Sequence, residues 1–151
     1  MPSRQIAPPP VDPPCAPQPL VQVAALCTRA GQGGGPSEVL LVTSRGTGRW
    51  ILPKGWPMTG RTLAEAAAIE AWEEAGVRGR AEAEPLGSYR AKKVTEDGSA
   101  LPCRVQVFRV RVEDLADDFP EAGQRHRRWM PAGVAAGLVC EPDLCELLRR
   151  L

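Results

Sequence analysis

The segment Thr62–Val77 (TLAEAAAIEAWEEAGV) constrains the fold more than any other part of the chain. Thr62 followed three residues later by Glu65 is a capping box, in which side chain and backbone satisfy each other's free donors at a helix N-terminus. Five alanines between Ala64 and Ala71 favour helix and offer a low, smooth face. Gly76 is the residue type that stops a helix in a left-handed conformation. These signals predict a helix over 63–75. Around it the pattern is extended. Val21–Thr28 and Val39–Thr43 are apolar runs separated by the turn-forming stretch 30–37, and they read as a hairpin. A short extended piece follows at 49–53, then a Gly- and Pro-rich loop at 54–61. Strands are predicted at 86–94 and 104–112 about an Asp97-Gly98 turn, the second alternating like a half-exposed strand. A short strand is expected at 127–130. Helices are expected at 132–138 and from Pro142, placed at the first helical position, to about 150. The expectation is an α+β domain over 20–151. Its mixed sheet lies between the long helix and a C-terminal helix, as an α/β/α sandwich.

Eight of the 16 prolines fall within the first twenty residues. Residues 1–19 therefore read as a solvated, polyproline-like tail, with a ligand for a proline-binding module as the other reading. The net charge of +1 argues against nucleic acid as a partner. No apolar run approaches the ~18 residues that span a bilayer, so no membrane partner is expected. The first twenty residues lack the apolar core of a secretory leader, and the expected setting is the cytoplasm. Five cysteines without a Cys-x-x-Cys pair, and the single His126, do not make a zinc site. They read as reduced thiols, and one histidine leaves little for a Ser-His-Asp or Cys-His triad.

The helix carries Glu70, Glu73 and Glu74. At about 100° per residue these carboxylates share one side of one turn. Like charges at that spacing repel, and anions near a helix C-terminus oppose its dipole. No Lys or Arg lies between Thr62 and Val77 to compensate. A hard divalent cation such as Mg²⁺ would, since it takes carboxylate, water and phosphate oxygens. A solvated acidic face is the other reading. Trp72 points away from the carboxylates and reads as core. Trp56, Met58 and Tyr89 are candidates for stacking on a base or for packing. Arg125, His126, Arg127 and Arg128 form a basic cluster that could meet polyphosphate or pair with Asp117 and Asp118.

The run LPKGWPMTGRTLAEAAAIEAWEEAGV, residues 52–77, resembles the Nudix box. That pattern is Gly, five residues, Glu, seven residues, Arg-Glu, an aliphatic, any residue, Glu-Glu, any residue, Gly and an aliphatic. Gly55, Glu70, Glu73, Glu74, Gly76 and Val77 match, and Ala71 fills the aliphatic position. Arg61 stands where the pattern has Glu, and Ile69 where it has Arg. In the family that Arg braces the acidic residues; Arg61 could supply the charge from the loop instead. Val42-Thr43-Ser44-Arg45 and the run from Trp50 to Gly55 resemble the diphosphoinositol polyphosphate and diadenosine polyphosphate hydrolase branch. Its Ser-Arg pair contacts phosphate. Arg104 matches another phosphate-binding Arg. The run DFPEAGQRHRRWM, with Arg128-Trp129, is also similar to that branch. A late Lys of the branch is Glu141 here, which removes one phosphate-binding charge and argues against inositol pyrophosphates.

The resemblance implies a Nudix fold and Mg²⁺-dependent hydrolysis, with Mn²⁺ as a possible substitute. The bond cut would be a diphosphate linkage in a nucleoside diphosphate derivative, a dinucleoside polyphosphate or an inositol pyrophosphate. Glu70, Glu73 and Glu74 would hold the metal and carry the catalysis. Ser44, Arg45, Lys54, Gly55, Arg61 and Arg104 would bind the substrate, and Glu74 or Glu121 would be the base. The alternative is a non-catalytic Nudix-fold module that holds a nucleotide or polyphosphate, a reading favoured by Arg61 and Ile69. An RNA-end hydrolase would need a basic stripe that the sequence lacks. The partner expected is a small phosphorylated molecule, with the chain a monomer or homodimer.

Overall fold

The apolar runs become the middle of a single sheet. The computed structural model describes residues 19–151; apart from exposed Pro19, the proline-rich segment lies outside them. The described elements are β1 (Leu20–Arg29), β2 (Glu38–Thr43), β3 (Trp50–Ile51), β4 (Lys54–Gly55), α1 (Leu63–Ala75), β5 (Val77–Ala81), β6 (Gly87–Val94), β7 (Ala100–Leu115), β8 (Arg127–Pro131), α2 (Ala132–Leu138) and α3 (Pro142–Arg149). β1 runs parallel to β7, from Leu20 opposite Cys103 to Thr28 opposite Arg111. The other pairings are antiparallel: β2 with β1, β3 and β8, β4 with β1, and β5 and β6 with β7. The sheet is mixed, as expected. The hairpin of β1 and β2 joins only at its ends, Thr28 opposite Val39 and Arg29 opposite Glu38. Farther along, β4 takes that edge of β1, so part of the expected 54–61 loop is strand.

Alternating side chains send each central strand into two cores. Val23, Ala25 and Cys27 pack with Leu40, Val42, Phe108 and Val110 under α1. Ala24 and Leu26 pack with Val39, Leu41, Val105 and Val107 under α2 and α3, where Leu144 and Leu148 are fully buried. The expected α+β sandwich is therefore present, with helices on both faces. β7 is not the half-exposed strand its alternation suggests. Its apolar phase switches between Val107 and Phe108, from the α3 core to the α1 core. Arg104 and Arg111 occupy stretches that neither helical layer covers and stay exposed.

α1 spans the predicted residues. Thr62 Oγ1 accepts from Glu65 N at 3.1 Å, and Glu65 Oε1 accepts from Thr62 N at 3.2 Å. Ala66, Ala67, Ala71 and Ala75 are fully buried against the sheet, so the helix lies close to it. Trp72 does not fit that close face; it is half-exposed beneath the Arg78 guanidinium, 4.9 Å from the ring centre. Tyr89, in contrast, is buried in the α3 core. Gly76 takes φ +68°, and a Cβ there would come within 2.5 Å of Phe119 Cδ1 and 2.8 Å of the Ala116 carbonyl oxygen. Among the described residues no helix is long and apolar enough to cross a membrane.

Thr62→Ala should cost about 1 kcal/mol by losing its side of the capping box. Gly76→Ala should cost more, since left-handed strain of roughly 1–2 kcal/mol is added to the crowding. Urea unfolding followed by circular dichroism would check both; equal midpoints for Gly76→Ala and the parent chain would refute the second.

Candidate active site

The C-terminal half of α1, the β3–β4 segment and the β7–β8 loop enclose a cleft of about 650 Å³. Glu70, Glu73 and Glu74 line one wall, with Ser44, Arg45, Lys54, Gly55, Trp56 and Met58 around it. Gly55 permits this contact: a Cβ there would sit 2.3 Å from the Glu70 carboxyl carbon. The next residue back, Lys54, donates its backbone N–H to Glu74 Oε2 at 2.9 Å. Burial lowers the pKa of its side-chain ammonium. Neighbouring Glu141 offsets part of that shift.

Two of the carboxylates are uncomfortable. Burial raises the Glu70 pKa to about 7, and the nearby Glu74, Glu73 and Glu121 charges push the same way. Burial also raises Glu74 to about 7, against the pull of Arg125 and of the Lys54 amide. Arg125 is the nearest cation. Its side chain is only 8% exposed, and its Nη2 lies 3.0 Å from Glu74 Oε1 and 3.4 Å from Glu121 Oε1. Its Nη1 donates to the Thr43 carbonyl at 3.0 Å.

The β7–β8 loop is tied to the end of α1. Glu121 N donates to the Glu73 carbonyl at 3.0 Å, Ala116 N to that of Gly76 at 2.9 Å, and Arg127 Nη1 to that of Ala75 at 2.7 Å. The basic cluster thus divides. Arg125 faces the cleft, while Arg127 caps the helix, lies 4.9 Å from the Phe119 ring centre and approaches Asp117 at 3.6 Å. Arg128 is exposed.

The remaining expected site residues separate. Ser44 stabilises the turn before β3, with its Oγ 2.9 Å from Thr47 Oγ1 and accepting from Arg49 N at 3.1 Å. Arg45 reaches across to Gln124 Oε1 at 3.1 Å and Glu121 Oε1 at 3.5 Å. Arg61 does not line the cleft; it is largely exposed and pairs with Glu65 one turn along, at 3.4 Å. Arg104 lies on β7 beside Ser88 and lines a separate hollow with Arg90, Lys92 and Cys103. Glu141, where the resembled branch has Lys, takes Arg49 in an ion pair of 2.7 Å. Gln22, Lys93 and Gln124 also line the cleft, although the sequence reading passed over them. A signal existed for Gln22, a polar residue inside the apolar run of β1. Lys93 depended on the strand register.

Among the described residues, no three His, Cys, Asp or Glu side chains close around a point as a finished metal site. The donor chemistry nonetheless fits a hard cation. The acidic wall is all carboxylate: burial and neighbouring like charges raise the Glu70 pKa to about 7, and burial raises that of Glu74 to about 7 even beside the Arg125 guanidinium.

A model of the NUDIX domain matches residues 19–142. Nudix hydrolase 12, mitochondrial, of Arabidopsis thaliana is 38% identical over 104 residues, covering 67% of this chain and 51% of the plant protein. Human diphosphoinositol polyphosphate phosphohydrolase 3-beta is 34% identical over 135 residues, covering 86% and 76% respectively. The chain spans about half the length of the plant relatives it matches. Among solved structures, a NUDIX hydrolase from Nitrosomonas europaea superposes with a TM-score of 0.66 at 20% identity, covering 87% of each chain. The Ap4A hydrolase of C. elegans gives 0.60 at 18% identity, covering 88% of this chain and 96% of that one. With the box residues gathered at one cleft and the family model spanning most of its length, the chain belongs to the Nudix family.

Proposed function

We propose that this chain is a Nudix pyrophosphohydrolase that uses Mg²⁺, or Mn²⁺ in its place, to cut a diphosphate linkage in a small phosphorylated molecule. The observation that carries this reading is the division of charge across one cleft. Glu70, Glu73 and Glu74 form one wall, and Arg45, Lys54 and Lys93 lie around the rest. A diphosphate would be repelled by the acidic wall and attracted elsewhere. Glu70, Glu73 and Glu74 are the residues that would hold the cation. When bound, it would neutralise the diphosphate and lower the pKa of a water. Arg45 suits forked contact with outer phosphate oxygens, and Lys54 acts as a point charge. Of the two bases expected from the sequence, Glu74 has both oxygens engaged, by Arg125 and by the Lys54 amide. Glu121 is shared between Arg125 and Arg45. Glu70 makes no side-chain hydrogen bond among the described residues, which leaves its oxygens open to the cation, so the base remains one of Glu74 and Glu121.

The substrate is a nucleoside diphosphate derivative or dinucleoside polyphosphate rather than an inositol pyrophosphate. Trp56, 43% exposed at the cleft, offers a face for a base. Arg49 is occupied by Glu141, which leaves fewer free cations for a densely phosphorylated ring.

The test is a panel of diadenosine polyphosphates, nucleoside diphosphate sugars and inositol pyrophosphates, assayed with Mg²⁺ and with chelator. Turnover should require the metal. Tight binding without turnover would select the non-catalytic module instead. Glu73→Gln, at a half-buried position, should lower kcat/KM by on the order of 10²-fold or more with the fold intact, since it withdraws part of the metal's several kcal/mol of charge stabilisation. Unchanged hydrolysis would remove Glu73 from the ligand set.

Metal-free stability should also respond to pH. Glu70 has a folded pKa of about 7, above the ordinary 4.5. Between those values the folded state holds the extra proton, so its contribution is fully present below pH 4.5 and lost as pH rises through 7. The Tm of Glu70→Gln minus that of the parent chain should grow across that window in chelator. A difference that is flat or shrinks with pH would contradict the assignment.

A further inference from the structure

We infer that Arg125 is the positioning residue of the acidic wall: from the β7–β8 loop, its guanidinium fixes the Glu74 and Glu121 carboxylates against the Thr43 carbonyl. The inference rests on the metal-binding reading of the cleft. α1 brings no cation of its own to its three carboxylates, and Ile69 stands where the box pattern has Arg. Arg61, the other candidate, is spent on Glu65. Arg125 is placed differently. Nη2 bridges Glu74 Oε1 at 3.0 Å and Glu121 Oε1 at 3.4 Å, while Nη1 reaches the Thr43 oxygen at 3.0 Å.

Three contacts from one planar group define an orientation, which a single ammonium cannot reproduce. The base of the fork is itself anchored. His126 N donates to Thr43 Oγ1 at 2.9 Å, and Thr43 N donates to the His126 carbonyl at 3.0 Å. The loop is thereby stitched to the end of β2 on one side, and through Glu121 N to the Glu73 carbonyl on the other. Arg125 lines the cleft, yet its side chain is only 8% exposed, held against the Glu74 and Glu121 carboxylates. Its effect on a bound cation would therefore run through Glu74, with Glu121 holding the guanidinium in place.

This role and simple charge opposition predict opposite signs. A fixed positive charge next to a cation site weakens binding, so its removal should tighten the site if charge were all that mattered. A brace does the reverse, because freed carboxylates must be ordered by the ion. The experiment is Mn²⁺ binding, without substrate, by electron paramagnetic resonance and water-proton relaxation, on the full chain and on Arg125→Lys and Arg125→Met. Circular dichroism would verify folding. The expected result is that Arg125→Met binds Mn²⁺ at least tenfold more weakly, and Arg125→Lys at least threefold more weakly but better than Arg125→Met. Relaxation should also report more water on the bound ion in both variants. Should Arg125→Met fail to fold, Arg125→Lys decides by the same threefold criterion. Variant affinities equal to or tighter than the parent's, with the parent binding Mn²⁺, would overturn the inference alone. A parent chain that binds no Mn²⁺ would overturn the metal reading and the inference with it.

Discussion

A helix ending in Glu70, Glu73 and Glu74 opposes its own dipole, and cations delivered by a distant loop are what let it stand there. Arg127 donates to the Ala75 carbonyl at 2.7 Å, and Arg125 reaches Glu74 at 3.0 Å. The Ala116 and Glu121 amides take two further carbonyls of the same helix end. These are the acceptors that any helix leaves free at its C-terminus. The loop that caps the helix also lines the cleft, through Pro120, Glu121, Gln124 and Arg125. Helix termination and cleft shape are thus one set of contacts. Gly76 completes the joint, because a side chain there would meet Phe119 and Arg127 of the same loop segment.

Features decided within a few residues were legible in the sequence. The capping box, the left-handed glycine and the proline at the start of α3 each act over one turn, and those boundaries agree with the structure. The family pattern and the gathering of Glu70, Glu73 and Glu74 were legible for the same reason, since one helical turn sets their spacing. What failed to show was long-range. Nothing local in RVQVFRVRV says that a strand leaves one core for another, yet its phase switch at Val107 and Phe108 records that passage. The alternation alone read as one wet face. Trp72 misled in the opposite direction. A large apolar side chain suggests core, but the alanine face of α1 lies too close to the sheet to admit it, so it settles outside under Arg78.

The Arg125 contact had no local signature. Its partner Glu74 lies 51 residues away in the chain, and the sequence offered Asp117 and Asp118 as nearer mates. Asp117 does meet Arg127, but at 3.6 Å and fully exposed, where such pairs contribute little. The buried pair is different in kind. Breaking one partner of a buried ion pair leaves an uncompensated charge, which costs far more than the pair gains over an apolar substitute. Selection of partner therefore follows burial, and burial follows from the way the β7–β8 loop lies against β2 and α1. Neither quantity is written in the spacing of charges along the chain.

The same distinction bears on ligand class. A net charge of +1 describes a chain with no field of consequence. The cleft contradicts that average, because Glu70, Glu73, Glu74 and Glu121 share it with Arg45, Lys54, Lys93 and Arg125. The charges do not simply cancel. Glu74 and Glu121 are already satisfied by Arg125, whereas Glu70 remains half-buried with like charges around it and a pKa of about 7. The unbalanced part of the acidic wall is therefore Glu70 with Glu73, and the unbalanced part of the basic surround is Lys54 with Lys93. A neutral ligand would relieve neither. A polyanion alone would relieve the lysines and aggravate the glutamates. A polyanion accompanied by a hard cation relieves both, which is the physical reason that the site's chemistry points to a metal–phosphate pair rather than to either component alone.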